Sequence, residues 1–507
     1  MRYVMFGLAS AILLLLVYVG NTHGVGQERL PALGHFLSPT HGFWQQAVPS
    51  DEDKHINLEL AGRSGQVKLD ERGVPHIFAA TLEDALFLQG YMHAQDRLFQ
   101  MDISVRATGG RLAEVLGDRL LERDQTQRRK GLRVAAQRTA DSWNRNPEAA
   151  TALAAYVAGV NTYIEALDPK DYPVEYKLMG FAPEPWSVFK SAMFSKSMAE
   201  SLCFRHYDLP TTNARSLLGD SLFQHLYPEW NPKQSPIVPT MDHLVRASEE
   251  EADFLSGVYD FPALEQAPEG IGSNNWALAG SKTSSGAPLL ANDPHLSLTL
   301  PSIWYEVQLN TAERNVYGVS LPGLPGILIG FNEQIAWGIT NVGQDVADWY
   351  RIEWIDDQQE EYLLDGKPTA PEWVTDTILV RGQSEPTIIR TPWTIFGPVV
   401  YDQEAENYYN LALRWAAQDP PFHPESDNME AFLDLGASTG LAGYTAALSA
   451  FDNPGSNVVY ANQAGDIAIT VTGHFPLRRQ QQGRFIQDGS KSENQWSGFI
   501  PYDEVPR

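Results

Sequence analysis

Residues able to attack a carbonyl are scattered along the 507-residue chain, and their neighbours separate them. Cys203 is the one cysteine. Its context, Ser201-Leu202-Cys203-Phe204, offers nothing to lower a thiol pKa, so it reads as a core residue. Gly436-Ala437-Ser438-Thr439-Gly440 has nucleophile-elbow spacing, which needs a strand before the serine and a helix after it. Met429 to Leu435 reads instead as a helix leading in. Ser187-Val188-Phe189-Lys190, Ser426-Asp427-Asn428 and Lys282-Thr283-Ser284 assemble a second serine-hydrolase set, but its third element ends on the wrong residue and precedes the second. HExxH, P-loop and GxGxxG patterns do not occur. Gly272-Ser273-Asn274-Asn275 is, in isolation, turn chemistry.

The elements that must position these residues change character along the chain. Gln66 to Phe78 alternates and contains Arg72-Gly73-Val74-Pro75-His76, which predicts strand, turn, strand. Thr81 is an N-cap for a long helix over Leu82 to Val105, broken by Gly109-Gly110; Leu112 to Leu116 starts another helix. Asn146-Pro147 opens a further one, a cap residue followed by proline at the first helical position. Residues 80–240 are therefore expected to be mainly helical. Between Arg246 and Lys282 there is no Lys or Arg, while Glu249, Glu250, Glu251 and Asp253 crowd together and Pro262, Pro268, Gly270 and Gly272 follow. This stretch reads as an acidic linker or a spacer removed by processing. Beyond it come short apolar runs: Trp276 to Ala279, Val316 to Leu321, Ile327 to Phe331 and Gln334 to Thr340. Asn457 to Tyr460 and Ile467 to Val471 flank Gln463-Ala464-Gly465-Asp466 as a hairpin. Helices first and strands afterwards predict an α+β fold.

The ordered set of motifs around Ser273 carries more than any of them alone. After Gly272-Ser273-Asn274-Asn275-Trp276-Ala277-Leu278 come Asn292-Asp293-Pro294-His295-Leu296, Pro301-Ser302-Ile303-Trp304-Tyr305-Glu306, Leu321-Pro322-Gly323-Leu324-Pro325-Gly326 and Ala336-Trp337-Gly338-Ile339-Thr340-Asn341. This string resembles the start of the catalytic subunit of the penicillin acylase family of N-terminal-nucleophile hydrolases. The helical part resembles the family's other subunit through Arg72-Gly73-Val74-Pro75-His76-Ile77, His93-Ala94-Gln95-Asp96-Arg97-Leu98-Phe99-Gln100-Met101 and Gly110-Arg111-Leu112-Ala113-Glu114. The resemblance covers roughly residues 64–507.

It implies a four-layer αββα core with a helical partner segment, matured from one precursor into two subunits. The implied organisation is a signal or anchor segment at 1–24, a mainly helical segment at 25–246, an acidic spacer at 247–272 and a strand-rich catalytic part at 273–507. Cutting after Gly272 makes Ser273 N-terminal, and its own α-amine, with a pKa of about 7.7–8.0, then serves as its base. His295 is implied to orient that amine, and the Asn341 backbone N–H, with Val342 the near alternative, to stabilise the oxyanion. One structural calcium is implied between the two parts, held by Asp345, the Ala347 carbonyl, Asp348, the Pro476 carbonyl and Asp208. The implied substrate is a small linear acyl amide, such as a β-lactam side chain or an N-acyl-homoserine lactone. The family's second oxyanion donor is an asparagine beyond a segment like Trp496-Ser497-Gly498-Phe499-Ile500-Pro501, and no asparagine follows that segment here. The expectations are therefore a longer active enzyme, or a truncated, non-catalytic, membrane-anchored relative. A hydrolase using Ser438 or Ser187 is the remaining rival.

Composition bounds the partners. The formal net charge is -26 at pH 7, which repels nucleic-acid phosphates and anionic lipid and favours cations. Arg2 precedes an apolar run from Tyr3 to Gly20, and Asn21-Thr22-His23-Gly24 is a poor cleavage site. Export to the periplasm or another extracytoplasmic space is expected, with membrane contact through this run alone.

Overall fold

Apolar residues at helical spacing, a Thr81 cap and two acids in the first turn make Leu82–Thr108 (α2) the longest helix among the described residues. The Thr81 hydroxyl accepts from the Asp84 N–H at 3.1 Å, and Gly109 closes the other end. Before it stands α1 (Arg2–Thr22); after it come α3 (Ala113–Leu116), α4 (Leu121–Arg129), α5 (Leu132–Arg145) and α6 (Pro147–Ala166). Then follow α7 (Val174–Met179), α8 (Val188–Cys203), α9 (Asp208–Leu226, kinked at Gly219), α10 (Asn428–Ala437) and α11 (Leu441–Leu448). The Asn146 side chain caps α6 by accepting from the Glu148 and Ala149 N–H groups. Helices α2 and α6 meet backbone to backbone: a Cβ on Gly159 would lie 1.8 Å from the Phe87 carbonyl oxygen. The computed structural model describes residues 2–22, 36–47, 55–60, 63–205, 207–228, 233, 272–401, 410–419, 428–479 and 482–505.

The strands are β1 (His55–Leu60), β2 (Arg63–Leu69), β3 (Pro75–Ala79), β4 (Gly272–Leu278), β5 (Leu289–His295), β6 (Tyr305–Asn310), β7 (Asn315–Ser320), β8 (Ile329–Phe331), β9 (Ile335–Asn341) and β10 (Ala347–Arg351). Then come β11 (Tyr362–Leu364), β12 (Lys367–Thr369), β13 (Glu372–Ile378), β14 (Thr387–Thr394), β15 (Gly397–Tyr401), β16 (Leu411–Trp415), β17 (Ser456–Asn462), β18 (Ile467–Thr472) and β19 (Gln487–Asp488). Nine of them form one sheet in the order β1-β2-β3-β6-β7-β8-β9-β17-β18, and six a second in the order β13-β14-β15-β16-β10-β19. Strands from both sides of the 247–272 stretch meet where β3 pairs parallel with β6. The main core lies between the large sheet and helices α2, α6, α8, α10 and α11.

The β4–β5 hairpin covers the other face of that sheet, over β9 and β17. Helices, large sheet and hairpin are thus an α layer and two β layers of an α+β fold. The hairpin covers its face in part: Trp276, Leu278 and Leu289 on its outer side, and Phe331, Ile467 and Ile469 on the sheet beside it, stay exposed.

Several expectations change in detail. Gly272-Ser273-Asn274-Asn275 is strand, not turn, because β5 pairs with it residue by residue. Helices α4 and α5 lie between the second and third helices expected from the sequence, and the sheet of β13 to β16 with β10 and β19 is additional to the expected elements. Residues 247–271 of the spacer lie outside the described residues. No helix among the described residues is long and apolar enough to cross a membrane.

His93, in the second motif of the helical resemblance, is fully buried between Tyr156 Oη (2.8 Å) and Ser320 Oγ (2.9 Å). Burial, with Arg97 adding to it, pushes its pKa down to about 3. The folded state keeps the ring neutral while the unfolded chain protonates near pH 6.5, so this contribution is intact above that pH and is lost as pH falls toward 3. The expected loss is about 1.4 kcal/mol per pH unit in that window. Urea midpoints at pH 7 and pH 5 check this: H93Q should show a shallower acid slope than the wild type, and equal slopes would disprove the assignment.

Candidate active site

Alternation along β4 and β5 decides what Ser273 faces. Ser273 opposes Pro294, and Gly272 opposes His295. Opposed residues of an antiparallel pair project to one side, and the next pair to the other. Ser273, Asn275, Asn292 and Pro294 therefore point inward. The Asn275 amide donates to the Asn457 carbonyl at 3.2 Å, and Asn292 packs on Gly338, where a Cβ would meet it at 2.5 Å. The Ser273 hydroxyl donates to the Gly272 carbonyl oxygen at 2.5 Å, so this hydroxyl lies beside the peptide expected to be cut.

Ser273 lines a pocket of about 940 Å³, its open mouth included. Ile339 of β9, Leu202 and Met198 of α8, Met429 and Phe432 of α10, Trp143 of α5 and the Leu321–Leu328 loop form its walls. Among the described residues no charged side chain lines it. Such a slot, apolar with a few polar atoms at one place, takes a hydrophobic group and fixes it at the polar end.

Asn341 lines the same pocket. Its side chain is locked, donating to the Leu202 carbonyl at 2.6 Å and accepting from the Gly343 N–H at 2.9 Å. The Val342 N–H donates to the Gly455 carbonyl at 3.3 Å. In an antiparallel ladder hydrogen-bonded pairs alternate, so the neighbouring pair, Asn341 opposite Ser456, turns its N–H groups away from each other. Of the two donors read from the sequence, Asn341 is the one left free by β17, and Val342 is engaged.

His295 stands on the other side of the hairpin. Its Nε2 is 2.9 Å from Asp293 Oδ2 and the ring is 41% exposed. A Cβ on Gly272 would lie 3.9 Å from His295 Nδ1, so the ring faces the Gly272 side of the peptide rather than the Ser273 hydroxyl. The rival serines are occupied: Ser438 Oγ donates to the Asp434 carbonyl at 2.7 Å, and Ser187 Oγ caps α8 at the Lys190 N–H. Cys203 is buried, with its thiol pushed up to about 12 by burial.

Asp208, Asp345 and Asp348 come together at the junction of α9 with β10. Asp208 is 0% exposed; Oδ2 accepts from the Trp349 N–H at 3.0 Å, and Oδ1 has no hydrogen-bond partner. Burial and the two neighbouring aspartates push its pKa well up, and burial carries Asp345 to about 7. Asp348 is bound by Arg478, Nη2 to Oδ1 at 2.7 Å and Nε to Oδ2 at 3.0 Å. Ala347 is paired in β10 opposite Trp415, and Pro476 bridges to Phe499, two residues before Arg478. Among the described residues no three Asp, Glu, His or Cys side chains form a ready metal cage. Two properties still suit a divalent ion: three carboxylates against one guanidinium, and an orphaned Asp208 oxygen that hard cations favour. Arg478 had no distinguishing signal in the sequence.

Comparison with known proteins bears on this site. The family described as penicillin amidase matches residues 64–507. Penicillin acylase 2 proenzyme of Pseudomonas sp. (strain SE83) is 30% identical over 472 residues, spanning 89% of this chain and 58% of that protein. Acyl-homoserine lactone acylase QuiP of Pseudomonas aeruginosa is 29% identical over 464 residues, spanning 87% of this chain and 53% of that protein. The chain thus spans little more than half the length of these relatives. A solved structure of thermostable penicillin G acylase from Alcaligenes faecalis, in orthorhombic form, is similar at 24% identity over 46% of this chain and 41% of that chain, with a TM-score of 0.41.

Proposed function

The chain belongs to the penicillin amidase family, and on that premise we propose that it hydrolyses a linear amide bearing an apolar acyl group, using Ser273 as an N-terminal nucleophile. The observation that carries this reading is the Ser273 hydroxyl beside the Gly272 carbonyl at the edge of an uncharged, apolar pocket.

The chemistry runs in two stages. In maturation, Ser273 Oγ attacks the Gly272 carbonyl carbon, the peptide becomes an ester, and water hydrolyses it to a Gly272 carboxylate and a free Ser273 α-amine. Proximity supplies much of that acceleration, because the chain itself holds the carbonyl in place. In turnover, the α-amine takes the hydroxyl proton as Oγ attacks the substrate carbonyl. The Asn341 N–H, turned away from β17, would receive the negative charge on the tetrahedral oxygen. Collapse passes the proton to the leaving amine and leaves an acyl-Ser273 ester, which water cleaves to the carboxylic acid. His295, beside the cut, holds and orients the amine. The acyl group lies among Ile339, Met198, Leu202 and Phe432. Penicillin acylase and acyl-homoserine lactone acylase relatives support acyl amides as the substrate class.

The test is N-terminal sequencing and intact mass of the purified protein. Two chains, the second starting at Ser273, are expected; a single uncut chain with full amidase activity would refute the reading. Calcium, if bound by Asp208, Asp345 and Asp348 with the Ala347 and Pro476 carbonyls, would neutralise surplus charge where α9 meets β10. We further place the protein outside the cytoplasm, held at a membrane by α1, whose exposed side chains are almost all apolar. Release by carbonate washing of membranes, as a species beginning near residue 25, would show a removed leader instead.

A further inference from the structure

The junction between α9 and β10 already contains a cation of its own. Arg478 is fitted into it from every side. Besides its two bonds to Asp348, its Nη1 donates to the Asp345 carbonyl at 2.8 Å, and Nη2 lies 3.6 Å from Asp345 Oδ1. Its guanidinium sits 5.6 Å from the centre of the Trp496 ring, and Trp496 Nε1 donates to Asp348 Oδ2 at 2.5 Å. Gly483, at φ +80°, leaves the space: a Cβ there would lie 2.7 Å from Arg478 Cζ. The side chain is 17% exposed, and Asp348 0%.

We propose that Arg478 is a built-in counter-ion that competes with a divalent cation for this site, so that calcium binds the wild-type chain against its own guanidinium. The inference rests on the calcium reading above. A planar guanidinium that takes both oxygens of one carboxylate removes those oxygens from any metal, which needs six to eight. It also places a positive charge among the carboxylates that would hold the ion, inside a poorly screened junction. Asp208 Oδ1, without a hydrogen-bond partner, stays available to a metal, whereas Asp348 does not. Deleting the guanidinium frees Asp348 Oδ1, while Oδ2 keeps the Trp496 N–H, and it removes the repulsion at the same time, so calcium affinity must rise.

The experiment is calorimetric titration of the full chain with calcium chloride, paired with thermal unfolding in calcium and in chelator, for wild type, R478Q and R478K. R478Q is expected to bind calcium about tenfold more tightly or better. R478K, which keeps the charge but loses the fork, is expected to fall between R478Q and wild type. If R478Q folds only with calcium present, that dependence supports the proposal; if it does not fold at all, R478K carries the comparison. Equal or weaker affinity in the folded variants overturns the competition while leaving the calcium reading intact. Binding by R478Q but not by wild type supports the competition and removes calcium from the natural protein. No binding by any of the three overturns both.

Discussion

S273A should remain a single chain and lose amide hydrolysis by at least about 10⁴-fold, the scale on which removal of a catalytic serine acts. Both losses have one origin. In the proposed mechanism the hydroxyl beside the Gly272 carbonyl attacks in maturation, and the amine released there is the base in turnover. Intact mass of S273A, followed by rate measurements at matched concentrations of folded protein, checks each step. S273C separates them further, since a thiol attacks a peptide carbonyl with less help from a base. If S273A still cleaves and turns over, another nucleophile must act. The two rivals are poorly placed for it, as Ser438 is committed to the Asp434 carbonyl and Ser187 to a helix cap.

R106M should cost about 3–5 kcal/mol of stability, the penalty for breaking a buried ion cluster by removing one partner. Arg106 is 2% exposed near the end of α2. Its Nε meets Asp102 Oδ1 at 3.0 Å, Nη1 meets Glu114 Oε2 at 3.1 Å and Nη2 meets Glu184 Oε1 at 2.7 Å. Arg111 grips the same two glutamates. Against the opposing effect of burial, Arg111 and Arg106 hold Glu184 down at about 2. Methionine fills much of the same volume, so the loss reports the uncompensated carboxylates more than a cavity. Urea midpoints at pH 7 measure it; a change below about 1 kcal/mol would mean that Arg111 alone satisfies the cluster.

That cluster shows what kind of information the sequence exposes. Arg111 and Glu114 stand in the motif Gly110-Arg111-Leu112-Ala113-Glu114, and their pairing at i,i+3 is local. Caps are local too, which is why Thr81 and Asn146 were legible as helix starts. The register of β4 against β5 was not, because a strand's partner is chosen by what it packs on, and a Gly-Ser-Asn-Asn stretch has the composition of a turn. The sheet of β13 to β16 with β10 and β19 escaped for a related reason: β10 is joined to it by pairing with β16 and β19, which lie far along the chain. Ser273 and Asn341 were found through ordered motifs, yet the pocket between them draws on α5, α8 and α10, which no short window joins. Arg478 is the clearest case. It reaches Asp348 across 130 residues, and beside Arg479 nothing in its neighbourhood marks it.

The uncovered side of the hairpin and sheet has a colloidal consequence. Trp276, Leu278 and Leu289 stand exposed beside the outer edges of β4 and β5, which among the described residues pair only with each other. Open edges next to apolar side chains are where a second molecule adds a strand. A net charge of -26 opposes that approach, and its range contracts to about 8 Å at physiological ionic strength. Solutions of this chain should therefore stay dispersed at low salt and self-associate as salt is added, the reverse of a protein held together by ion pairs. Light scattering across a salt series reads the sign directly.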